Sequence, residues 1–271
     1  RPQGFSRQNI AEGLILSMLG DKDKKTLKEQ KEYDFSYSFE DKSRFRVNAF
    51  TQRGYLGAAL RLIPNKIKTI KELNLPDILS DFAKKEQGFF LVVGPIGHGK
   101  STTLASMIEN INHASAKHII SIEDPMEYLF VQDKSIIDQR EVKTDTADFK
   151  TALRSMFRQD INVAMIGEMR DVETISTAVT AAETGHLILS SLHTNNAAQT
   201  VDRIIDSFPS HQQNQIRVQL ASVLLGIFSQ RLVPRISGGR IPAYELLIST
   251  PAVRTLIREG RAHEIDTVIE T

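Results

Sequence analysis

A glycine-rich segment has the residues and the spacing of a phosphate-binding loop. Residues 94–101 read Gly-Pro-Ile-Gly-His-Gly-Lys-Ser, between a stretch typical of a strand and a stretch typical of a helix. In such loops, glycines let backbone N–H groups approach phosphates, the lysine lies between the β- and γ-phosphates, and the serine hydroxyl binds Mg²⁺. The motif predicts a MgATP site formed by Gly94, Pro95, Ile96, Gly97, His98, Gly99, Lys100, Ser101 and Thr102.

The helix that begins near Lys100 adds the positive end of its dipole to this site. We expect Lys100 to be catalytic as well, because phosphoryl transfer develops negative charge beside it. His98 stands where many such loops have serine. We expect its ring to point outward and to have no catalytic role.

Glu168 is the candidate general base. It follows the apolar stretch 163–166, at the strand end where open α/β sheets place their ligands. Many phosphate-binding proteins have aspartate directly after this strand, but here that position is Gly167. The alternative is a surface carboxylate that caps the next helix, a role for which Asp171 is the better candidate.

A second set of carboxylates follows the apolar stretch 118–122 and provides candidate Mg²⁺ ligands. Glu123, Asp124 and Glu127 lie within five residues and would repel one another unless a cation were present. We expect Glu123 to contact the metal or its water shell and Asp124 to support it, together with Ser101. A solvated turn remains the alternative.

Two histidines flank the apolar stretch 187–192. We expect His193, and also His186, to hydrogen-bond the γ-phosphate and to sense its loss. They are about 20 Å apart along one strand, so they do not form a shared metal site. A purely structural role stays open for both.

Arginines from the first part of the chain are candidates for neutralising charge on the γ-phosphate, a task often performed by an arginine of a neighbouring subunit. Strand alternation puts Arg44 and Arg46 on one face, and Arg53 and Arg61 follow. The alternative is a solvated basic face.

The pattern of elements predicts two domains. Residues 9–32 favour a helix, 33–39 and 44–50 a hairpin joined by a charged turn, and the next stretch a third strand that ends at Pro64. From residue 88 onward, short apolar strands alternate with amphipathic helices, which is typical of a parallel α/β sheet. We place the domains at 1–65 and 66–271.

Composition excludes several classes of protein. The chain of 271 residues has no cysteine, a net charge of +1 and no apolar run of the roughly 20 residues that span a bilayer. A disulfide scaffold, a cysteine-ligated zinc site and an integral membrane protein are therefore not expected, and neither is nucleic-acid binding. The first residues have no signal-peptide core, so we expect a cytoplasmic protein.

Taken together, the motifs resemble the type II/IV secretion ATPase superfamily, and within it the type IV pilus retraction ATPases. The resemblance rests on RFRVNAF with LRLIP, GPIGHGKSTTLASMI, IEDPMEY, IGEMRD followed by AAETGH, and LHT. SQRLVP and TPAVRTLIREG resemble the C-terminal helical segments of that family. It implies an α/β fold in which a RecA-like P-loop NTPase domain follows a smaller, partial PAS-like α+β domain.

The same resemblance implies a hexameric ring that binds ATP between its two domains. It supports roles for Lys100, Ser101, Thr102, Glu123, Glu168 and His193, with Arg46 and Arg61 closing on the phosphates. The ring would act at the inner face of the cytoplasmic membrane on a pilus platform protein, with a paralogous retraction ATPase as a further candidate partner. The alternatives are an ATPase of a related secretion or conjugation system, a regulatory ring subunit that does not hydrolyse ATP, and a nucleic-acid translocase.

Overall fold

The computed structural model describes residues 7–40, 43–64 and 66–269. The chain divides into two compact units, each with its own contacts. The first comprises Arg1–Lys66 with Glu127–Leu129, and the second comprises Ile67–Met126 with Phe130–Thr271. Within the described ranges, no helix is long and apolar enough to cross a membrane.

The first unit places two helices before an antiparallel sheet. Its elements are α1 (Arg7–Ser17), α2 (Asp21–Gln30), β1 (Glu32–Phe39), β2 (Ser43–Gln52) and β3 (Tyr55–Ile63), with strand order β1-β2-β3. The predicted hairpin and third strand are confirmed, although residues 41–42 of the predicted turn lie outside the described ranges. The single helix predicted over 9–32 is wrong. Gly20 has an extended backbone before α2, and this separates the two helices.

One face of this sheet is apolar and the other carries the arginines. Ala49 of β2 packs in a small core with Ile15, Leu19 and Leu27 from the helices. Side chains alternate along a strand, so Arg44 and Arg46 project from the face opposite Ala49. The sheet therefore has one covered face and one cationic face.

The second unit is built around a seven-stranded, mostly parallel sheet with the order β10-β9-β4-β8-β7-β5-β6 among the described strands. Its elements in chain order are α3 (Ile78–Ala83), β4 (Gly88–Val93), α4 (Lys100–Ala114), β5 (His118–Glu123), β6 (Ile136–Glu141), α5 (Phe149–Met156), β7 (Val163–Ile166), α6 (Val172–Glu183), β8 (Leu187–Leu192), α7 (Ala197–Asp206), α8 (Ser210–Val223), β9 (Leu224–Pro234), β10 (Arg240–Ile248), α9 (Pro251–Glu259), a 3-10 turn (Ala262–Glu264) and α10 (Ile265–Ile269).

Both faces of this sheet are buried, as expected for parallel strands covered by helices. Alternate residues of β4 point to opposite sides. Phe89 and Leu91 join one core cluster, whereas Phe90 and Val92 join the other. The four predicted strands at 89–93, 118–122, 163–166 and 187–192 are confirmed as β4, β5, β7 and β8.

Three strands of this sheet were not predicted: β6, β9 and β10. The prediction that SQRLVP is helical is wrong, because residues 229–234 form the second half of β9. β9 pairs in parallel with β4 and antiparallel with β10. It therefore runs beside the strand that leads into the glycine-rich loop.

Gly226 lies at a register shift between β9 and β4, where Phe89 pairs with Leu224 and Phe90 with Gly226. A Cβ atom at residue 226 would lie 2.7 Å from the Leu247 carbonyl oxygen and 3.2 Å from the ring of Phe82. The rings of Phe82 and Phe90 pack against each other at a centroid distance of 4.6 Å. Glycine is therefore required for this close packing.

We predict that Gly226→Ala lowers the free energy of unfolding by about 1–3 kcal/mol, because the added methyl group overpacks this site. Urea unfolding followed by circular dichroism measures the effect. Ser222→Ala, at an exposed position of α8 four residues earlier, is the control and should change stability by less than about 0.5 kcal/mol. Equal stability of the two variants would contradict the prediction.

Candidate functional site

The glycine-rich loop connects the end of β4 to the start of α4. Gly94, Gly97 and Gly99 have φ angles of 144°, 78° and 83°, a region that residues with a Cβ atom rarely adopt. Gly99 is the N-cap of α4 and provides no side-chain hydrogen bond, and the first turn of α4 has no acidic residue. The N–H groups of this turn and the helix dipole therefore favour an anion at this end.

Gly94 is also required by close packing. A Cβ atom at residue 94 would lie 2.3 Å from the carbonyl oxygen of Gln230 in β9. By contrast, a Cβ atom at Gly97 would have no neighbour within 4 Å. The backbone of the loop therefore packs tightly against β9 at Gly94, whereas Gly97 has free space beside it.

The ammonium group of Lys100 is buried, with only 6% of the residue exposed. It donates hydrogen bonds to the carbonyl oxygens of Gly94 and Pro95, each at 2.9 Å. It also lies 3.1 Å from Nδ1 of His193, which follows β8. A neutral His193 that accepts this bond at Nδ1 has its proton on Nε2.

Glu168 completes a line of polar groups along this edge of the sheet. Its Oε2 atom lies 3.4 Å from Nε2 of His193, and its Oε1 atom lies 2.5 Å from the guanidinium group of Arg170. The Glu168 side chain is 15% exposed and that of Arg170 is 75% exposed. The structure therefore brings Lys100, His193 and Glu168 together, as a site for phosphoryl transfer requires.

Gly167 links the carboxyl end of β7 to the two neighbouring strands, β5 and β8. Its N–H group donates to the Ile122 carbonyl oxygen at 2.9 Å, and its own carbonyl oxygen accepts a hydrogen bond from the Ser191 hydroxyl at 2.6 Å. A Cβ atom at residue 167 would lie 3.4 Å from Cα and Cγ of Glu123. These are ordinary van der Waals distances, so Gly167 lies directly beside Glu123 but close packing does not itself require glycine there.

Glu123 is the last residue of β5 and is 5% exposed. Its register partner on β6 is Glu141, whose carboxylate accepts hydrogen bonds from the Met126 N–H group and the Thr144 hydroxyl. Asp124 is only partly buried and forms an ion pair with Lys143 at 3.6 Å. Thus Glu123 lies at the candidate site, whereas Asp124 has an ionic partner outside it.

Oxygen donors for Mg²⁺ are present, although the described residues include no group of three or more histidine, cysteine, aspartate and glutamate residues that could hold a metal ion. Mg²⁺ typically binds one or two carboxylates together with substrate phosphates and water. The hydroxyl of Ser101, in the first turn of α4, and the carboxylate of Glu123 fit that donor set. Roles for Ser101, Glu123 and Asp124 as metal ligands stay predictions.

Two predictions about histidines need correction. His98 does not point outward: its Nδ1 atom accepts a hydrogen bond from the Leu232 N–H group at 2.9 Å, because β9 lies alongside the loop. His186 is not near the loop. Its carbonyl oxygen accepts from the N–H group of Gly88 at the start of β4, and its ring contacts Phe157, so it lies at the opposite edge of the sheet.

Gln230 is a residue at this site that the sequence analysis did not identify. Its side-chain amide donates to the His98 carbonyl oxygen at 2.6 Å and accepts from the Thr103 hydroxyl at 2.7 Å. In the sequence, Gln230 is only the middle one of three consecutive polar residues, at 229–231, in the stretch that forms β9. Its partners are more than a hundred residues away, so sequence spacing alone could not reveal the contact.

In the first unit, Arg46 of β2 is the register partner of Arg61 of β3. These two side chains project from the same face of the sheet, next to Arg44. Arg53 lies in the β2–β3 turn with a φ angle of 49°, followed by Gly54 at 82°, as a two-residue hairpin turn requires. In the second unit, Asp171 caps α6 through the Thr174 N–H group, as predicted.

Comparison with known proteins identifies the family. The sequence profile of the type II/IV secretion system protein family matches residues 38–239. The chain belongs to this family. This membership confirms the α/β fold class, with a RecA-like P-loop NTPase domain and a smaller PAS-like α+β domain before it.

Individual relatives support this family assignment. The chain is 44% identical to the type IV pilus retraction ATPase PilT of Pseudomonas aeruginosa over 95% of its own length and 75% of the relative. It is also 44% identical to a twitching motility protein of Neisseria gonorrhoeae, over 95% and 69% of the two chains. The crystal structure of the pilus retraction motor PilT with bound ADP superimposes with a TM-score of 0.92 at 49% identity, over 96% and 76% of the two chains.

We predict that Gly94→Ala is more harmful than Gly97→Ala. Both variants force a residue with a Cβ atom into a strained backbone region, which costs about 1–3 kcal/mol. Only Gly94→Ala adds a collision with the backbone of β9. Chemical denaturation without nucleotide should therefore show at least about 1 kcal/mol more destabilisation for Gly94→Ala. Equal losses in the two variants would mean that β9 does not restrain the loop.

Proposed function

We propose that this protein is a motor ATPase that couples MgATP hydrolysis to type IV pilus retraction, working as a homo-hexamer. The observation that carries the proposal is the line of groups formed by Lys100, His193 and Glu168 beside a glycine-rich loop. The similarity to PilT from Pseudomonas aeruginosa supports the choice of pilus retraction among the activities of the family.

In the proposed reaction, the glycine-rich loop and the first turn of α4 bind the phosphates of ATP. Lys100 lies between the β- and γ-phosphates, and Thr102 adds a contact at the start of α4. Glu168 accepts the proton of the water that attacks the γ-phosphorus, while the bond from that phosphorus to the β–γ bridging oxygen breaks. His193 orients this carboxylate and contacts the γ-phosphate.

Ser101 and Glu123 hold Mg²⁺ in this proposal, and Asp124 supports them. The metal, when bound, neutralises charge on the β- and γ-phosphates. Both Ser101 and Glu123 provide oxygen donors of the kind that Mg²⁺ prefers. His186 is not included, because it lies at the other edge of the sheet.

Arg46 and Arg61 complete the site from a neighbouring subunit. Like charges directly opposite each other in an antiparallel sheet are destabilising, and the register pairs these two arginines. A phosphate between them would relieve that repulsion. The proposal includes the assignment of residues 1–65 to the PAS-like domain that carries these arginines and of 66–271 to the ATPase domain.

The proposed site of action is the cytoplasmic face of the inner membrane, where the hexamer engages a pilus platform protein. A paralogous retraction ATPase is a further proposed partner, and nucleic acid is not. An ATPase of a related secretion system is the second candidate, favoured by the match of residues 38–239 to the type II/IV secretion system protein family. The test expresses this protein in a strain that lacks pilus retraction. Restored twitching motility would favour the retraction motor, whereas no restoration at a normal level of expression would favour the secretion ATPase.

We predict that Glu168→Gln retains MgATP binding but lowers kcat by a factor of about 10²–10⁴, because it cannot accept the proton of water. Phosphate release measures hydrolysis, and calorimetry measures binding. Glu173→Gln is the matched control, since it changes an exposed glutamate on α6 that pairs with Lys150 and Arg154. Hydrolysis by Glu168→Gln at the rate of the control would refute the role of Glu168 as base.

We predict that mixing two inactive variants restores hydrolysis. Arg46→Ala keeps Glu168, and Glu168→Gln keeps Arg46, so a mixed ring contains some interfaces that have both groups. With random mixing, about a quarter of the interfaces are complete, and activity should recover to roughly that fraction. The control mixes Glu168→Gln with a double variant that carries both Lys100→Ala and Arg46→Ala. No interface in that mixture contains Lys100, Glu168 and Arg46 together, so hydrolysis should not recover. No recovery in rings shown to be mixed would place the arginine in its own subunit's site.

A further inference from the structure

Strand β9 contacts the glycine-rich loop at three points. The Gln230 side chain donates to the His98 carbonyl oxygen, and the Leu232 N–H group donates to the His98 ring. The backbone of Gln230 lies against Gly94 so closely that no side chain fits there. One strand therefore restrains both the first glycine of the loop and the turn before Lys100.

The Gln230 side chain also reaches the helix that follows the loop. Its Oε1 atom accepts a hydrogen bond from the Thr103 hydroxyl at 2.7 Å, in the first turn of α4. Gln230 and Thr103 are each only 2% exposed. Water therefore has little access to replace these bonds, and a buried polar group that loses its partner is costly.

We infer that Gln230 is a positioning residue that holds the glycine-rich loop in its nucleotide-binding shape before nucleotide arrives. This inference rests on the proposed function, because it assumes that the loop binds nucleotide phosphates. Gln230 need not contact the nucleotide. It acts through His98 and Thr103, which lie on the two sides of Gly99 and Lys100.

The two contacts require a side chain that donates and accepts at once, as the Gln230 amide does. The His98 carbonyl oxygen requires a donor, and the Thr103 hydroxyl requires an acceptor. A methionine of similar length offers neither, and an ionised glutamate would place a negative charge against a carbonyl oxygen. A protonated glutamate has the shape and the donor of glutamine.

Loss of these bonds should affect binding more than turnover. If the loop occupies its binding shape for only a fraction of the time, the apparent Kd rises by the inverse of that fraction. Saturating nucleotide restores the shape by selecting it, so kcat falls far less than kcat/KM. A residue that merely supports the fold would lower the melting temperature without this separation of KM from kcat.

The test compares wild type with Gln230→Met, with Gln212→Met as a control at an exposed position of α8. Calorimetry with MgADP should give a Kd raised about tenfold in Gln230→Met, equivalent to about 1.4 kcal/mol. Steady-state hydrolysis should show KM raised by a similar factor and kcat lowered by less than about threefold. An unchanged Kd, or a fall in kcat with KM unchanged, would overturn the inference.

Gln230→Glu provides a second test, which remains informative if Gln230→Met does not fold. Position 230 is 2% exposed, so burial should raise the pKa of this glutamate well above its ordinary value. The MgADP affinity of this variant should therefore approach that of wild type as the pH falls from 8 to 6, because protonation restores the donor to the His98 carbonyl oxygen. Wild type and Gln212→Met, measured over the same pH range, correct for every other pH-dependent step in binding. Weak binding that does not improve at low pH, or binding equal to wild type at pH 8, would overturn the inference. If wild type itself binds no MgADP, the proposed function fails instead.

Discussion

The buried ammonium group of Lys100 is the constraint on which the second unit depends. A charge removed from water is costly unless it is hydrogen-bonded, and here two loop carbonyl oxygens and the ring of His193 surround it. The carbonyl oxygens of Gly94 and Pro95 point toward the ammonium group only because the loop has backbone angles that glycine permits. The ring of His193 is within reach only because β8 is the neighbour of β4. One buried charge thus links the loop sequence to the strand order.

The order of the strands arranges the chemistry along one edge. From β4 the sheet continues through β8 and β7 to β5, and the carboxyl ends of these strands carry Lys100, His193, Glu168 and Glu123 in that order. Neighbouring strands are about 4.8 Å apart, so the strand before Glu168 lies roughly 10 Å from the strand before the loop. The Lys100 side chain and the His193 ring together connect the loop to Glu168 across this distance.

The central strands, and the residues Lys100, His193 and Glu168 that the structure brings together, could be predicted from the sequence because their signals are local. β4, β5, β7 and β8 are short, mostly apolar runs, and each ends at or directly before a glycine, glutamate or histidine. β9 was missed because α8 runs directly into it at Leu224 without a glycine or proline to mark the boundary. β6 was missed because four of its six residues, at 138–141, are polar or charged. The direction of the His98 ring and the contacts of Gln230 depend on pairing between distant segments, and no local pattern encodes that pairing.

The contact between β9 and the loop also determines when the site can form during synthesis. Gln230 and His98 are 132 positions apart in the chain, and Lys100 and His193 are 93 positions apart. Contacts of such long sequence separation form late, because loop closure must precede them. A nascent chain that ends before β9 contains every residue of the glycine-rich loop but lacks the strand that shapes it. Nucleotide binding is therefore acquired only after β9 has been synthesised.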